Sequence, residues 1–151
     1  MKKFRFTLKS VQTVRHIREL RAREVFGEAV RAEAAAQAAL TAARDELAEL
    51  ERVVAAKRSG TFLPAEQISF LYEFQVQREH VKRATEGLTL AQRTLAKARE
   101  GWIAARKDVR MIDNLESKAR TEHRRESDRE EQALLDDRTN ATAGRVQLLT
   151  S

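Results

Sequence analysis

Cysteine is absent from the 151 residues, proline occurs once, glycine five times, and aromatic residues make up 5%. Without cysteine neither a disulfide nor a thiolate metal site can form, and the reducing cytoplasm is the natural compartment. So few glycines and prolines cannot punctuate a chain of many short elements, so helix is the default. No run approaches the roughly 18 apolar residues of a membrane-spanning helix. Residues 1 to 31 are rich in arginine, but Glu19, Glu24 and Glu28 interrupt them and there is no apolar h-region, so no targeting peptide is expected. His16, His80 and His123 are far apart along the chain, no two carboxylates frame a pocket, and there is no glycine-rich phosphate loop. Neither catalysis nor a cofactor nor a metal is expected, and two long helices alone offer no cleft.

What is present is a heptad repeat. From Phe70 to Ala119, Phe74, Val81, Leu88, Leu95, Trp102 and Val109 recur every seventh residue, with Ala84, Ala91, Ala98, Ala105, Ile112 and Ala119 three places behind. A 3,4-spaced stripe stays against one partner helix only in a left-handed supercoil. Upstream, Phe26, Leu40, Leu47 and Val54 form a second file of large residues with Glu33 as its one defect, beside Ala22, Ala29, Ala36, Ala43 and Leu50. Two matched seams in one short chain predict an all-α fold, two long helices in an antiparallel coiled-coil hairpin, each large knob entering a hole lined by small neighbours.

The connection is expected at Ser59-Gly-Thr-Phe-Leu-Pro64, with Gly60 at positive φ as a C-cap and Pro64 in the first turn of the next helix. Helix one is placed at about 8–58, the turn at 59–64 and helix two at about 65–138, making residues 1–138 a single hairpin and 139–151 a disordered tail. Centred on the turn, facing positions add to about 122, which sets Val54 near Ile68, Leu40 near Lys82, Val11 near Met111, and Trp102 opposite the Ala22 and Arg18 region. Val14, Ile17 and Leu20 do not fall in the later register, so a stutter is expected near Arg21 to Val25. Helix one ends its cover opposite about Lys118, leaving helix two to overhang by roughly 20 residues, or about 30 Å at 1.5 Å per residue.

Charge is uneven. Residues 1 to 31 hold 9 Lys/Arg against 3 Asp/Glu and 97 to 129 hold 10 against 7, whereas 32 to 96 hold 8 against 9. The open end is basic and the turn half neutral, an asymmetry that favours encounter with an acidic partner. Aromatic residues interleaved with the basic patch, zinc ligands and a basic-zipper fork are lacking, so nucleic acid is not the expected partner. Two rival readings stay open, a general coiled-coil adaptor or homodimer and a basic rod associated with nucleic acid or the ribosome.

Phe4-x-Phe6-x-Leu8-x-x-Val11, followed by Arg15, Arg18, Glu19 and Glu24, together with Arg106-Lys-Asp-Val109, Leu115-Glu116-x-Lys118, Glu130-Glu131 and Leu135-Asp136-Asp137, resembles the FliJ family of the flagellar type III export apparatus. The resemblance covers nearly the whole chain. The injectisome stalk proteins are similar in form but lack so clear a Phe-x-Phe-x-Leu start. It implies a non-enzymatic antiparallel coiled coil similar to the central stalk of rotary ATPases. Its implied partners are the hexameric export ATPase FliI, which it would regulate, the export gate protein FlhA, and export chaperones. It would sit at the cytoplasmic face of the inner membrane only through those partners. On this resemblance the ATPase surface is expected at Phe4, Phe6, Leu8, Arg15, Arg18, Arg106, Arg110, Arg124 and Arg125, apolar anchors in a basic surround. The gate surface is expected at Tyr72, Val76, Glu79 and Arg83, an outward stripe opposite the core positions of helix two; Phe62 and Leu63 in the turn either extend it or cap the hairpin end by folding over Ile68.

Overall fold

A computed structural model describes residues 3–149. It contains two helices, α1 (Lys9–Arg58) and α2 (Pro64–Leu149), and no strand among the described residues. The helices pack against each other as an all-α hairpin. Their contacts divide into two compact units, Leu20–Ala104 and Met1–Glu19 with Ala105–Ser151.

In the Leu20–Ala104 unit the predicted seam is the core. Ala29, Leu40, Ala43 and Val54 are buried, all on the two heptad files of α1. On α2 the half-buried seam positions run Phe70, Phe74, Gln77, Val81, Ala84, Leu88, Ala91, Leu95, Ala98 and Trp102, in strict alternation of three and four, with Glu66 and Val76 half-buried beside them. Gln77 interrupts this file, and its Oε1 is buried without a hydrogen-bond partner among the described residues, a cost that an apolar side chain there would avoid.

The axial offset differs from the one predicted. Trp102 stacks on Phe26, with ring centroids 5.2 Å apart and planes 20° from parallel, rather than lying opposite Ala22 and Arg18. Facing numbers here add to 128, a relative slide of about 9 Å from the loop-centred register at 1.5 Å per residue. At that sum Leu40 falls opposite Leu88 and Leu47 opposite Val81, while one residue less sets Ala29 against Ala98 and Ala43 against Ala84. Large residues therefore meet large ones, and alanine meets alanine. Aromatic stacking between Phe26 and Trp102 favours this offset over large-into-small packing.

The turn, residues 59–63, is closed by local bonds. Gly60 N–H donates to the Lys57 carbonyl at 3.1 Å and the Ser59 hydroxyl to the Ala56 carbonyl at 2.7 Å. Two of the last carbonyls of α1 are thereby satisfied without a left-handed residue, and no glycine among the described residues has positive φ, which corrects the expected Gly60 cap. At the start of α2, the Leu63 N–H donates to Glu66 Oε2 at 3.4 Å, the Glu half of a capping box, with Pro64 in the first helical position.

In the other unit the seam continues without the expected stutter. Gln12, Arg15 and Glu19 on α1 keep the heptad register of Phe26, and Val109, Ile112, Glu116, Ala119 and His123 keep it on α2. Ile112 is 1% exposed and Gln12 5%. Val11, Val14 and Ile17, which the apolar pattern would turn inward, are exposed. Beyond Ser127 every described residue of α2 is exposed, and the helix runs on to Leu149. The expected disordered tail is thus helical over 139–149, positions 150 and 151 lying outside the described residues. No proline stops it, Asn140 and Gly144 are taken up within the helix, and an established helix adds one backbone bond per residue. Thr139 and Thr142 also donate to the carbonyls of Leu135 and Arg138.

Two outcomes test this packing. Cysteines at Ala43→Cys and Ala84→Cys should oxidise to an intramolecular disulfide, whereas Ala43→Cys with Glu79→Cys, the pair of the loop-centred register, should not. Leu40→Ala, a 3% exposed position, should cost about 2–5 kcal/mol in urea unfolding, against under ~0.5 kcal/mol for the exposed Leu90→Ala.

Candidate protein interaction sites

The Met1–Glu19 with Ala105–Ser151 unit holds all nine residues expected to contact the ATPase. A polar clasp organises it. The Gln12 side-chain amide donates one hydrogen to Asp113 Oδ1 at 2.9 Å and the other to Glu116 Oε2 at 2.6 Å, while its Oε1 accepts from Lys9 Nζ at 2.9 Å. His16 Nε2 lies 3.1 Å from Asp113 Oδ1, and Arg120 pairs with Glu116 at 3.1 Å. The Gln12 hydrogen bond, then those of His16 and the charge of Lys9, hold the Asp113 carboxyl below its ordinary range, with burial opposing. Gln12 and then Arg120 and Lys9 do the same for Glu116.

Several predicted contact residues have structural work in this unit. Phe4 lies edge-on to His123, centroids 5.5 Å apart, under the Arg120 guanidinium at 5.1 Å. Arg15 Nη1 donates to the Asp108 carbonyl at 3.1 Å from a half-buried seam position. Phe6 is half-buried and Leu8 is exposed, as are Arg18, Arg106, Arg110, Arg124 and Arg125. The roles of the clasp residues Gln12, Asp113, Glu116 and Arg120, and of His123 beside Phe4, were missed by sequence reasoning. The signal was polar side chains at seam spacing, Gln12, Glu116 and His123, with Asp113 and Arg120 one place after the seam positions Ile112 and Ala119, which hydrophobic periodicity cannot register.

Heptad position also sorts the flanks of this unit. His16 and Asp113 flank the seam on one side and are paired. Val11 and Leu115 occupy the equivalent positions on the other side, with Val14 and Met111 just beyond. These four are 38%, 47%, 45% and 59% exposed.

The Leu20–Ala104 unit holds the six residues expected to contact the gate. Tyr72 and Leu63 are exposed, Val76 is half-buried, and Glu79 and Arg83 pair with each other at 3.5 Å. Phe62 is turned inward and stacks on Phe70, centroids 5.8 Å apart. Contrary to the expectation of no cleft, a groove of about 370 Å³ opens here, lined by Val54, Arg58, Phe62, Gln67, Phe70, Leu71 and Phe74. No group of three or more potential metal ligands occurs among the described residues.

Two long helices packed face to face along a 3,4-spaced seam define a coiled-coil hairpin. The family model of the flagellar FliJ protein matches residues 4–147, and the chain belongs to that family. Comparison with curated proteins and with solved structures found no match. Family membership gives the chain a role in flagellar protein export, in association with the export apparatus, and the family is a non-enzymatic export component. Among the described residues no helix is long and apolar enough to cross a membrane.

The clasp makes an acid-sensitive contact. Both carboxyl groups have folded values below their ordinary ones, so their pairing contributes stability above about pH 4. That contribution is lost as pH falls through the lowered folded values. Amide exchange, corrected for its intrinsic pH dependence, should show residues 9–19 losing protection below about pH 4. In Gln12→Leu, protection of the same residues should already be lower at pH 7, with a smaller further change in acid; an unchanged profile would remove the clasp from the account.

Proposed function

We propose that this chain is a stalk and adaptor of the flagellar type III export apparatus. The Met1–Glu19 with Ala105–Ser151 unit engages the FliI hexamer, and the turn half of the other unit engages the gate protein FlhA and the export chaperones. One observation carries the reading: in the Met1–Glu19 with Ala105–Ser151 unit the α1 side of the seam is polar, Gln12, Arg15 and Glu19 packing against Val109, Ile112 and Glu116, while Val11, Val14, Met111 and Leu115 are exposed. A coiled coil built only for its own stability would have the reverse arrangement, and outward apolar side chains among arginines suit the centre of a protein interface. Arg18, Arg110, Arg124 and Arg125 supply the charge that steers an acidic surface onto them. Phe4 and Arg15 act by fixing the two chain segments together. Placement at the cytoplasmic face of the inner membrane follows from these partners.

The two surfaces separate by mutation. Arg124→Glu with Arg125→Glu should lower ATPase stimulation by about tenfold, roughly 1.4 kcal/mol, with gate binding and helicity unchanged. Tyr72→Ala with Val76→Ala should weaken binding to the cytoplasmic domain of the gate and leave ATPase stimulation intact. Parallel loss of both interactions in either variant contradicts the two-surface reading.

A further inference from the structure

We infer that the groove beside the turn is a preformed socket for a large apolar side chain carried next to a carboxylate on a partner segment. The inference rests on the reading that the turn half docks an export partner, and it supplies the chemistry of that docking.

The walls come from both helices and the turn. Val54 and Arg58 contribute from α1, Phe62 from the turn, and Gln67, Phe70, Leu71 and Phe74 from α2. Three phenylalanines, with Arg58 and Gln67 beside them, give a concavity of mixed apolar and polar lining and about 370 Å³, at the lower end of the size range of ligand pockets. The shape is set in advance. Phe62 is fixed by its stack on Phe70, the start of α2 by the bond from Leu63 N–H to Glu66, and the end of α1 by the Lys57–Glu66 ion pair at 3.3 Å. Little ordering is then required of the socket on binding, which favours affinity.

Charge selects the occupant. Lys57 is matched by Glu66 and lies 5.5 Å from the centroid of the Phe70 ring. Arg58 lines the groove with no ion-pair partner among the described residues. A planar guanidinium beside an aromatic wall receives a carboxylate in bidentate fashion. With the second cation already matched, the site suits one carboxylate rather than a phosphate cluster. Leu71, 66% exposed at the rim, extends apolar contact to the residues around the anchor. A segment pairing leucine or phenylalanine with aspartate or glutamate satisfies both features.

The test uses the full chain and two fluorescein-labelled synthetic 15-residue helical peptides. One carries leucine and phenylalanine beside two glutamates; its twin has lysines for the glutamates. Fluorescence anisotropy should show the acidic peptide binding at least tenfold more tightly than its twin. Arg58→Glu should invert that preference, and Leu71→Ser should weaken both, with helicity unchanged by circular dichroism. Equal binding of the twins, no binding of either, or no inversion in Arg58→Glu overturns the socket. So does a dimer in sedimentation that Arg58→Glu dissolves, since a second copy would then occupy the groove. A gate-domain arm keeps the two readings apart. If the peptide preference inverts while gate binding survives both substitutions and also Tyr72→Ala with Val76→Ala, the socket stands and the gate assignment of the turn half fails. If the peptides do not bind and gate binding falls only with Tyr72→Ala and Val76→Ala, the socket fails and the gate assignment stands.

Discussion

The 3,4 seam constrains everything else in this chain. Once α2 presents a face every seventh residue from Phe74 to His123, α1 can meet it only with its own equivalent face, whatever side chains that face carries. In the Leu20–Ala104 unit the face is large apolar residues alternating with alanine, and burial of Leu40, Val54 and their neighbours holds the helices together. In the other unit the same register brings in Gln12, Arg15 and Glu19, and polar bonds replace part of the apolar contact. The apolar side chains that the register excludes are left on the outside, where they become available to another protein.

Helix two, its partner face and the hairpin could be read from the sequence because six large residues at perfect heptad spacing permit no other period. The axial offset could not. Periodicity says which side of a helix faces its partner but not how far one helix slides along the other, and that slide depends on Phe26 meeting Trp102. The expected stutter failed for a related reason. Val14, Ile17 and Leu20 look like core by hydropathy, yet Gln12 can satisfy two carboxylates at once across the seam and its placement turns those residues outward. The helical stretch 139–149 shows that low hydrophobicity, even with Asn140 and Gly144 in the stretch, is not a stop signal when no proline intervenes.

Of the candidate sites, membership of the arginines and phenylalanines in one unit was legible from their concentration at both ends of the sequence. Their division of labour was not. Phe4 and Arg15 read as exposed anchors because nothing in a linear pattern reveals that His123 and the Asp108 carbonyl await them. The groove was not legible either, since a fold-back of Phe62 over the hairpin end could be foreseen at Ile68, but not its stack on Phe70. Buried polar contacts and side chains that fold back are the features that sequence periodicity passes over, and here they sit where the two proposed surfaces are built.

The central claim is that one chain carries two independent docking surfaces, one for each of two machines. Analytical ultracentrifugation of the chain with the ATPase hexamer and the gate's cytoplasmic domain, mixed together, tests it most directly. The account predicts a single complex containing all three. Displacement of the ATPase as the gate domain is added, with only binary complexes at every ratio, would show that the surfaces overlap and would contradict it.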